Sequence, residues 1–351
     1  MRELYKNILE SVEIERTQNQ NKHKNSRVLI IDGLNTFIRC WTSIPTMNED
    51  GDHVGGVTGV LKSIGYAIRQ TQPTRVVVVF DGKGGSTSRK KKFDGYKAQR
   101  EGNRLRVNRQ YADLMNDEDE RESMKRQFVW LNEMLYGLPL TTMIYDGVEA
   151  DDVMAYITTN LLKEDEQAVV MSTDKDFLQL VNDKTIVWSP TKKKIYNKVR
   201  VKEEFGIESK NLLLYRVLDG DSSDNIPGVY GCGIKTLVKR FPELTEDTKL
   251  SVDDLFNLCE QKKVETKGKI KLYNDILEAK NQILLNRELM QLDDVDISGQ
   301  IKMQVLDRFN EPIKPLNKMD FMKILLKYKV TSNFGDLNDW LKTTFGNLVT
   351  D

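Results

Sequence analysis

The chain has 351 residues, 39% hydrophobic and 30% charged, and its 53 lysines and arginines balance its 53 aspartates and glutamates. That composition supports one large domain or two moderate ones, and a mean hydropathy of −0.51 with no apolar run of bilayer length excludes a membrane protein. Three scattered cysteines (Cys40, Cys232, Cys259) and two histidines (His23, His53) argue against zinc motifs and histidine triads. They point to a reducing, cytoplasmic setting in which any metal is held by oxygen, as magnesium, manganese and calcium are.

The first 26 residues are polar and charged and carry no signal-peptide pattern. Leu4, Ile8 and Val12 recur at helical spacing, so a short amphipathic helix in a loosely attached extension is expected. RVLII, from Arg27 to Ile31, reads as a buried strand closed by the turn residues Asp32-Gly33. Helical spacing follows from Thr36 to Trp41, then a turn-rich loop over 51–59 and a helix from Val60 to Gln70 with Leu61, Ile64 and Ile68 on one face. RVVVVF, from Arg75 to Phe80, is the clearest strand and again ends in Asp-Gly, at Asp81-Gly82.

Between Lys83 and Arg109, ten lysines and arginines meet only two acids, Asp94 and Glu101, with Phe93 and Tyr96 set among them. Such a block suits a polyanion. From Asp113 to Glu122 the chain turns acidic, read as a solvated loop, and Met124 to Leu135 has the pattern of an amphipathic helix. So long a span between a strand and the next helix marks a functional insertion, about 83–125. Thr141–Tyr145, Ala168–Ser172 and Thr185–Trp188 are further strands. The alternation predicts an α/β fold over 27–198, a mostly parallel central sheet flanked by helices. Beyond Val199 the pattern is helical: Leu212–Leu218, Leu237–Phe241, Asp253–Cys259, Lys271–Leu292, Lys318–Tyr328, and a packed helix with a short tail in 333–351. The Gly-rich connector GDSSDNIPGVYGCGIKT spans 220–236.

Asp32, Asp81 and Asp174 each follow a strand, and in a parallel sheet such ends share the edge where ligands gather. Glu149, Asp151 and Asp152 open a helical pattern, where the helix dipole favours anions. With Asp176, Asp221 and Asp224, nine carboxylates are candidates for one rim. Their mutual repulsion costs on the order of 4 kcal/mol per close pair at an effective dielectric near 20. Two divalent cations would remove that cost and support in-line displacement at phosphorus. Two phosphate-loop decoys fail: from Gly228 the spacing nearly fits a nucleotide-binding loop, but Ile234 takes the lysine's place, and GKGGS (82–86) lacks a dinucleotide fingerprint.

Six motifs in order, IDGLN (31–35), VFDG (79–82), YKAQR (96–100), EADD (149–152), STDKD (172–176) and GDSSDNIPGVYGCGIKT, resemble the 5′-nuclease or flap-endonuclease superfamily. This superfamily includes the 5′-to-3′ exonuclease domain of bacterial DNA polymerase I and the phage 5′-nucleases. The long insertion and the tripeptide WSP (188–190) look most like the T-even phage branch, of RNase H type. The resemblance covers roughly 27–244, more weakly to about 330.

It implies a PIN-like nuclease core, a helical arch in the insertion, and a helix–three-turn–helix element at about 219–244 within a helical DNA-binding region, 199–351. It also implies a first metal site of Asp32, Asp81, Glu149 and Asp151 with Asp152 nearby, and a second of Asp174, Asp176, Asp221 and Asp224. Lys97 and Arg100 match arch-base cations at the scissile phosphate, and Arg104 lies in the same arch. Tyr96 is open to stacking on a terminal base or to packing the arch. Gly231, Gly233 and Lys235 match duplex-phosphate contacts.

The implied cofactors are two Mg2+ ions, with Mn2+ able to substitute, and K+ at the helix–three-turn–helix loop. The implied partners are branched or nicked duplex DNA and RNA–DNA hybrid, with a single-strand-binding protein or sliding clamp as further candidates. A monomer in the host cytoplasm, removing RNA primers and 5′ flaps, is expected. Two alternatives stay open, a PIN-like ribonuclease on single strands and a non-catalytic protein that binds branched DNA.

Overall fold

The computed structural model describes residues 26–100, 117–346 and 348. The expected N-terminal helix, Arg104 and the first part of the acidic run lie outside the described residues, as does the side chain of Arg100. The chain enters at β1 (Ser26–Asp32), then forms α1 (Gly33–Ser43), α2 (Gly55–Thr71), β2 (Arg75–Asp81) and the short α3 (Thr87–Lys92). After α4 (Asp117–Tyr136) come β3 (Thr141–Tyr145), α5 (Ala150–Tyr156), β4 (Glu166–Met171), β5 (Thr185–Ser189) and β6 (Lys194–Tyr196). The strands form one sheet in the order β3-β2-β1-β4-β5-β6, parallel except for β6, which pairs antiparallel with β5. This is the mostly parallel α/β sheet that the strand pattern predicts.

The apolar runs are covered on both faces. In β1, Leu29 and Ile31 enter one core and Val28 and Ile30 the other; in β2, Val76, Val78 and Phe80 divide from Val77 and Val79 in the same way. That is the period-two alternation of strands buried between helical layers. The loop expected over 51–59 is shorter than predicted, because α2 already starts at Gly55. A Cβ at Gly55 would stand 1.8 Å from the Ile44 carbonyl oxygen, and one at Gly59 2.5 Å from the Ile44 side chain. Close contact between α1 and α2 thus outweighs the low helix propensity of glycine. The described part of the acidic run is not a solvated loop either. It forms the first turns of α4, where the helix dipole favours carboxylates. The three-residue β6 is too short to show a period.

The remaining helices are α6 (Lys198–Phe205), α7 (Leu212–Asp219), α8 (Ile234–Arg240), α9 (Val252–Glu265), α10 (Lys271–Glu278), α11 (Lys280–Met290), α12 (Gly299–Asn310), α13 (Lys318–Lys327) and α14 (Leu337–Phe345). The helix expected over Lys271–Leu292 breaks at Ala279, and α12 was not anticipated. Residues of α7 to α11 build a third core around Val217, Leu237, Phe241, Leu255 and Ile276. The last three helices return to the sheet layers: Val305 and Phe309 join the core on the β3 side, while Phe321, Leu325, Leu341 and Phe345 join the core formed with α2 and α4. The span expected as one helical region, 199–351, is therefore divided between a separate helical core and the sheet's own cover. Among the described residues, no helix is long and apolar enough to cross a membrane.

From β1 the chain proceeds outward to β2 and β3 on one side, and β4 to β6 build the other. The crevice at the carboxyl ends of β1 and β4 is thus the topological switch point of the sheet, where open α/β folds seat ligands.

Candidate active site

A pocket of about 730 Å3 opens at this switch point. Asp32, Asp81, Glu149, Asp151, Asp174, Asp176 and Asp224 line it, together with Tyr96 and Lys97. The sequence signal for this convergence is the aspartate at the end of each apolar strand.

Each carboxylate is set by its own local structure. Asp32 caps α1, accepting from the Asn35 amide at 3.1 Å, and accepts from the Ser172 hydroxyl at 3.0 Å. Burial lifts its carboxyl to about 7, and the charges of Asp81 and Asp174 add to this against those two hydrogen bonds. Asp81 accepts from the Ala150 amide at 2.7 Å, which ties the end of β2 to the start of α5. Asp174 accepts from the Asp176 amide at 2.8 Å and caps the 3-10 helix Lys175–Leu180. Burial raises it, and Asp151 and Asp221 push the same way.

Glu149 is buried, at 3% exposure, inside a knot of donors. Arg89 donates to it, the Tyr96 hydroxyl donates at 3.0 Å and the Lys97 ammonium at 2.5 Å. The same Arg89 guanidinium grips Asp152 through both terminal nitrogens, at 2.9 and 2.7 Å, and its Nε donates to the Leu289 carbonyl at 2.9 Å. Burial and the Asp151 charge lift Asp152 to about 7. Asp152, expected near the first metal site, shares Arg89 with Glu149 and Asp151 but does not line the pocket; it lines a small cavity of about 90 Å3 instead. In the sequence Arg89 is one member of a basic block suited to a polyanion. Burying a charge needs a partner, and here it supplies the counter-charge for three carboxylates. Removing one partner of such a buried pair typically costs about 3–5 kcal/mol. Arg89→Met is accordingly expected to lose about that much stability in a denaturant titration, and adding Glu149→Gln to restore part of it.

Arg216 plays the corresponding part on the other side. From α7 it donates to Asp176 and to Asp221, each at 2.7 Å. Burial and Asp174 lift Asp176 to about 7 against this guanidinium. Burial also works to raise Asp221, but the Ser223 hydroxyl and amide and Arg216 outweigh it and hold Asp221 below the usual range. Asp221 does not line the pocket. The sequence hid Arg216 inside the apolar run LLLYRVLD (212–219).

Lys97 stands in the left-handed region at φ 57°, its amide donating to the Asp224 carbonyl at 2.9 Å. Strained backbone of this kind persists where the surrounding structure fixes it. Burial opposes its charge, but Glu149 and Asp151 outweigh burial and keep the ammonium protonated. Tyr96 is only 2% exposed and packs with Ile226, Leu289 and Met290. Of the two sequence readings, base stacking yields to packing: the ring is covered, and its hydroxyl positions Glu149. Arg100 closes a 3-10 turn, Ala98–Arg100. Gly231 has φ 85°, which favours glycine, whereas Gly233 has ordinary backbone and open space around it, leaving room for an outside group. Lys235 lies in the first turn of α8.

Among the described residues, no three acidic, histidine or cysteine side chains already form a ligand cage. The donor chemistry nevertheless fits hard cations. The lining is rich in carboxylate oxygen, several of these groups are lifted by burial and one another's charge, and the space is open.

Comparison with known proteins gives one consistent answer. The family model described as "5′-3′ exonuclease, N-terminal resolvase-like domain" matches residues 27–206. A 5′-3′ exonuclease of Aquifex aeolicus is 31% identical over 60% of this chain and 66% of its own length. A 5′-3′ exonuclease of Bacillus subtilis is 31% identical over 62% of this chain and 71% of its own length. DNA polymerase I of Bacillus subtilis is 29% identical over 76% of this chain, which spans only 28% of that longer protein. Among solved structures, a flap endonuclease of bacteriophage T5, in a complex with DNA and metal ions, superposes with a TM-score of 0.57. That alignment covers 85% of this chain and 98% of the T5 chain at 21% identity, a likeness of fold.

Proposed function

Because the chain belongs to the 5′-3′ exonuclease family, we propose that it is a metal-dependent, structure-specific 5′-nuclease, a phosphodiester hydrolase that removes RNA primers and 5′ flaps in DNA replication. One observation carries the reading beyond family membership. Carboxylates from five separate stretches of chain line a single pocket, and Lys97, which lines it beside Glu149, is held charged.

In this reading Asp32, Asp81, Glu149 and Asp151 hold one divalent cation and Asp174, Asp176 and Asp224 a second, magnesium with manganese able to replace it. Bound there, the ions supply Lewis acidity and charge neutralisation at phosphorus. The chain's own residues do the rest. Arg89 and Tyr96 fix Glu149, Arg216 fixes Asp176, and the Lys97 ammonium meets charge that builds on the non-bridging phosphate oxygens. Arg100 and Arg104, which follow Lys97 in the sequence, are assigned to the same substrate strand. The Gly231–Lys235 loop would grip the backbone of the adjoining duplex and would hold potassium, whose charge would offset that of the phosphates.

The test is a gel that compares 5′-flap, nicked, blunt and RNA-primed duplexes with unpaired RNA, each with magnesium and with chelator. Magnesium-dependent cleavage of the flap and the primed duplex is expected. Cleavage of unpaired RNA alone would favour a single-strand ribonuclease, and binding without cleavage a non-catalytic branched-DNA protein; either overturns the proposal.

A further inference from the structure

We propose that the turn joining α9 to α10 is a second duplex-binding element, whose lysines grip phosphates beyond the reach of the Gly231–Lys235 loop. The identity of the ligand rests on the 5′-nuclease reading. The geometry of the element does not.

From Lys262 to Lys271 the chain carries five lysines against one acid, Glu265. Lys262 is occupied by Glu243 at 2.8 Å, and Lys271 stands 3.7 Å from Asp275. Lys267 and Lys269 are exposed and have no ion-pair or hydrogen-bond partner for their side chains among the described residues. The turn is nonetheless ordered. Thr266 and Lys267 donate to the Lys262 and Val264 carbonyls at 3.0 Å, Gly268 to Lys263 at 2.9 Å and Lys269 to Thr266 at 3.1 Å. Lys267 and Gly268 are both left-handed, at φ 51° and 69°. A lysine held there, where glycine or asparagine is favoured, presents its ammonium on a rigid turn.

The turn sits beside the Gly-rich loop. Leu272, the second residue of α10, lies 3.8 Å from where a Gly231 Cβ would stand. On that loop Tyr230 is 92% exposed, and Lys235 is exposed with no side-chain partner among the described residues. Two neighbouring loops thus offer Lys235, Lys267 and Lys269 uncompensated, with a phenol beside them. Cations spread along a surface suit a rod of phosphates, to which lysine and tyrosine both donate. The element is also tied to the catalytic pocket. Within α11, Asn286 donates to the Val217 and Pro227 carbonyls, both at 2.8 Å, and Leu289 and Met290 line that pocket. Duplex held at the turn is therefore held in register with the carboxylates.

The test measures binding of a flap duplex in chelator, so that no cleavage intervenes, over a range of salt concentrations. The variant is Lys267→Asn with Lys269→Gln, which respects the left-handed backbone. Each lost phosphate contact lowers the salt slope by about 0.9, so a drop of nearly 2 is expected, with affinity falling roughly tenfold. The loss should shrink when the duplex is cut from about two helical turns to one, and be small on single-stranded DNA. Lys267→Arg with Lys269→Arg should restore the slope, and Lys318→Ala, on α13, should leave it unchanged. An unaltered slope, an equal loss on single strands, or an equal loss in Lys318→Ala overturns the proposal. A wild-type chain that grips duplex through this turn but cuts nothing would refute the nuclease reading and leave the binding element standing.

Discussion

Replacing Asp174 with asparagine is expected to cut flap cleavage at least about a thousandfold, roughly 4 kcal/mol of transition-state stabilisation, while leaving the chain folded. The carboxylate follows β4, its hydrogen bond from the Asp176 amide is one that an asparagine oxygen can also accept, and it lines the pocket. What the substitution removes is a negative charge. Burial and the charges of Asp151 and Asp221 both act against that charge, so a protein stripped of cations carries it at a cost. Asp174→Asn should therefore raise the melting temperature in chelator while shrinking the further rise that magnesium gives wild type. Asp81→Asn should lose activity in the same way. Unchanged cleavage in either variant would refute the assignment of these residues. A fall in melting temperature in chelator would refute the repulsion argument.

Lys97→Ala is expected to lower the turnover number by about a hundredfold to a thousandfold with little change in duplex affinity, the size typical of removing one preorganised group from a developing oxyanion. Its ammonium faces Glu149 inside the pocket, away from the Gly231–Lys235 loop assigned to the duplex. The left-handed backbone at Lys97 disfavours alanine as it does lysine, so the comparison isolates the side chain. Lys97→Arg keeps the charge but not the compact ammonium and should recover only part of the rate. Single-turnover rates at saturating DNA separate the possibilities: a variant whose whole deficit lies in binding contradicts this placement.

These two predictions and the arginine variant differ in how far the chain itself announced them. Asp32, Asp81 and Asp174 could be found by reading, because an apolar run that stops at an aspartate is a local pattern. A parallel sheet then brings such ends to one edge whatever the loops between them do. Arg89 and Arg216 could not be assigned that way. In the sequence one is a member of a basic block and the other an oddity in an apolar helix. Their roles depend on partners far along the chain: Arg89 meets Glu149 60 residues on and the Leu289 carbonyl 200 residues on, and Arg216 meets Asp176 40 residues back. Tyr96 belongs with them, since an aromatic beside lysines reads equally as an exposed stacking face or as a covered ring until the residues that cover it are known.

By itself, then, the sequence determined the elements whose signal is local: strands marked by β-branched runs, helices marked by apolar spacing, carboxylates at strand ends, and the glycines of a sharp turn. Only the tertiary structure decided which charges are buried, which acids line the pocket and which are paired with a buried arginine, and that the last helices pack back on the sheet. The reason is the range of the forces. Dihedral preference and periodic burial act over a few residues, whereas the cost of desolvating a charge is set by whatever the whole fold places around it.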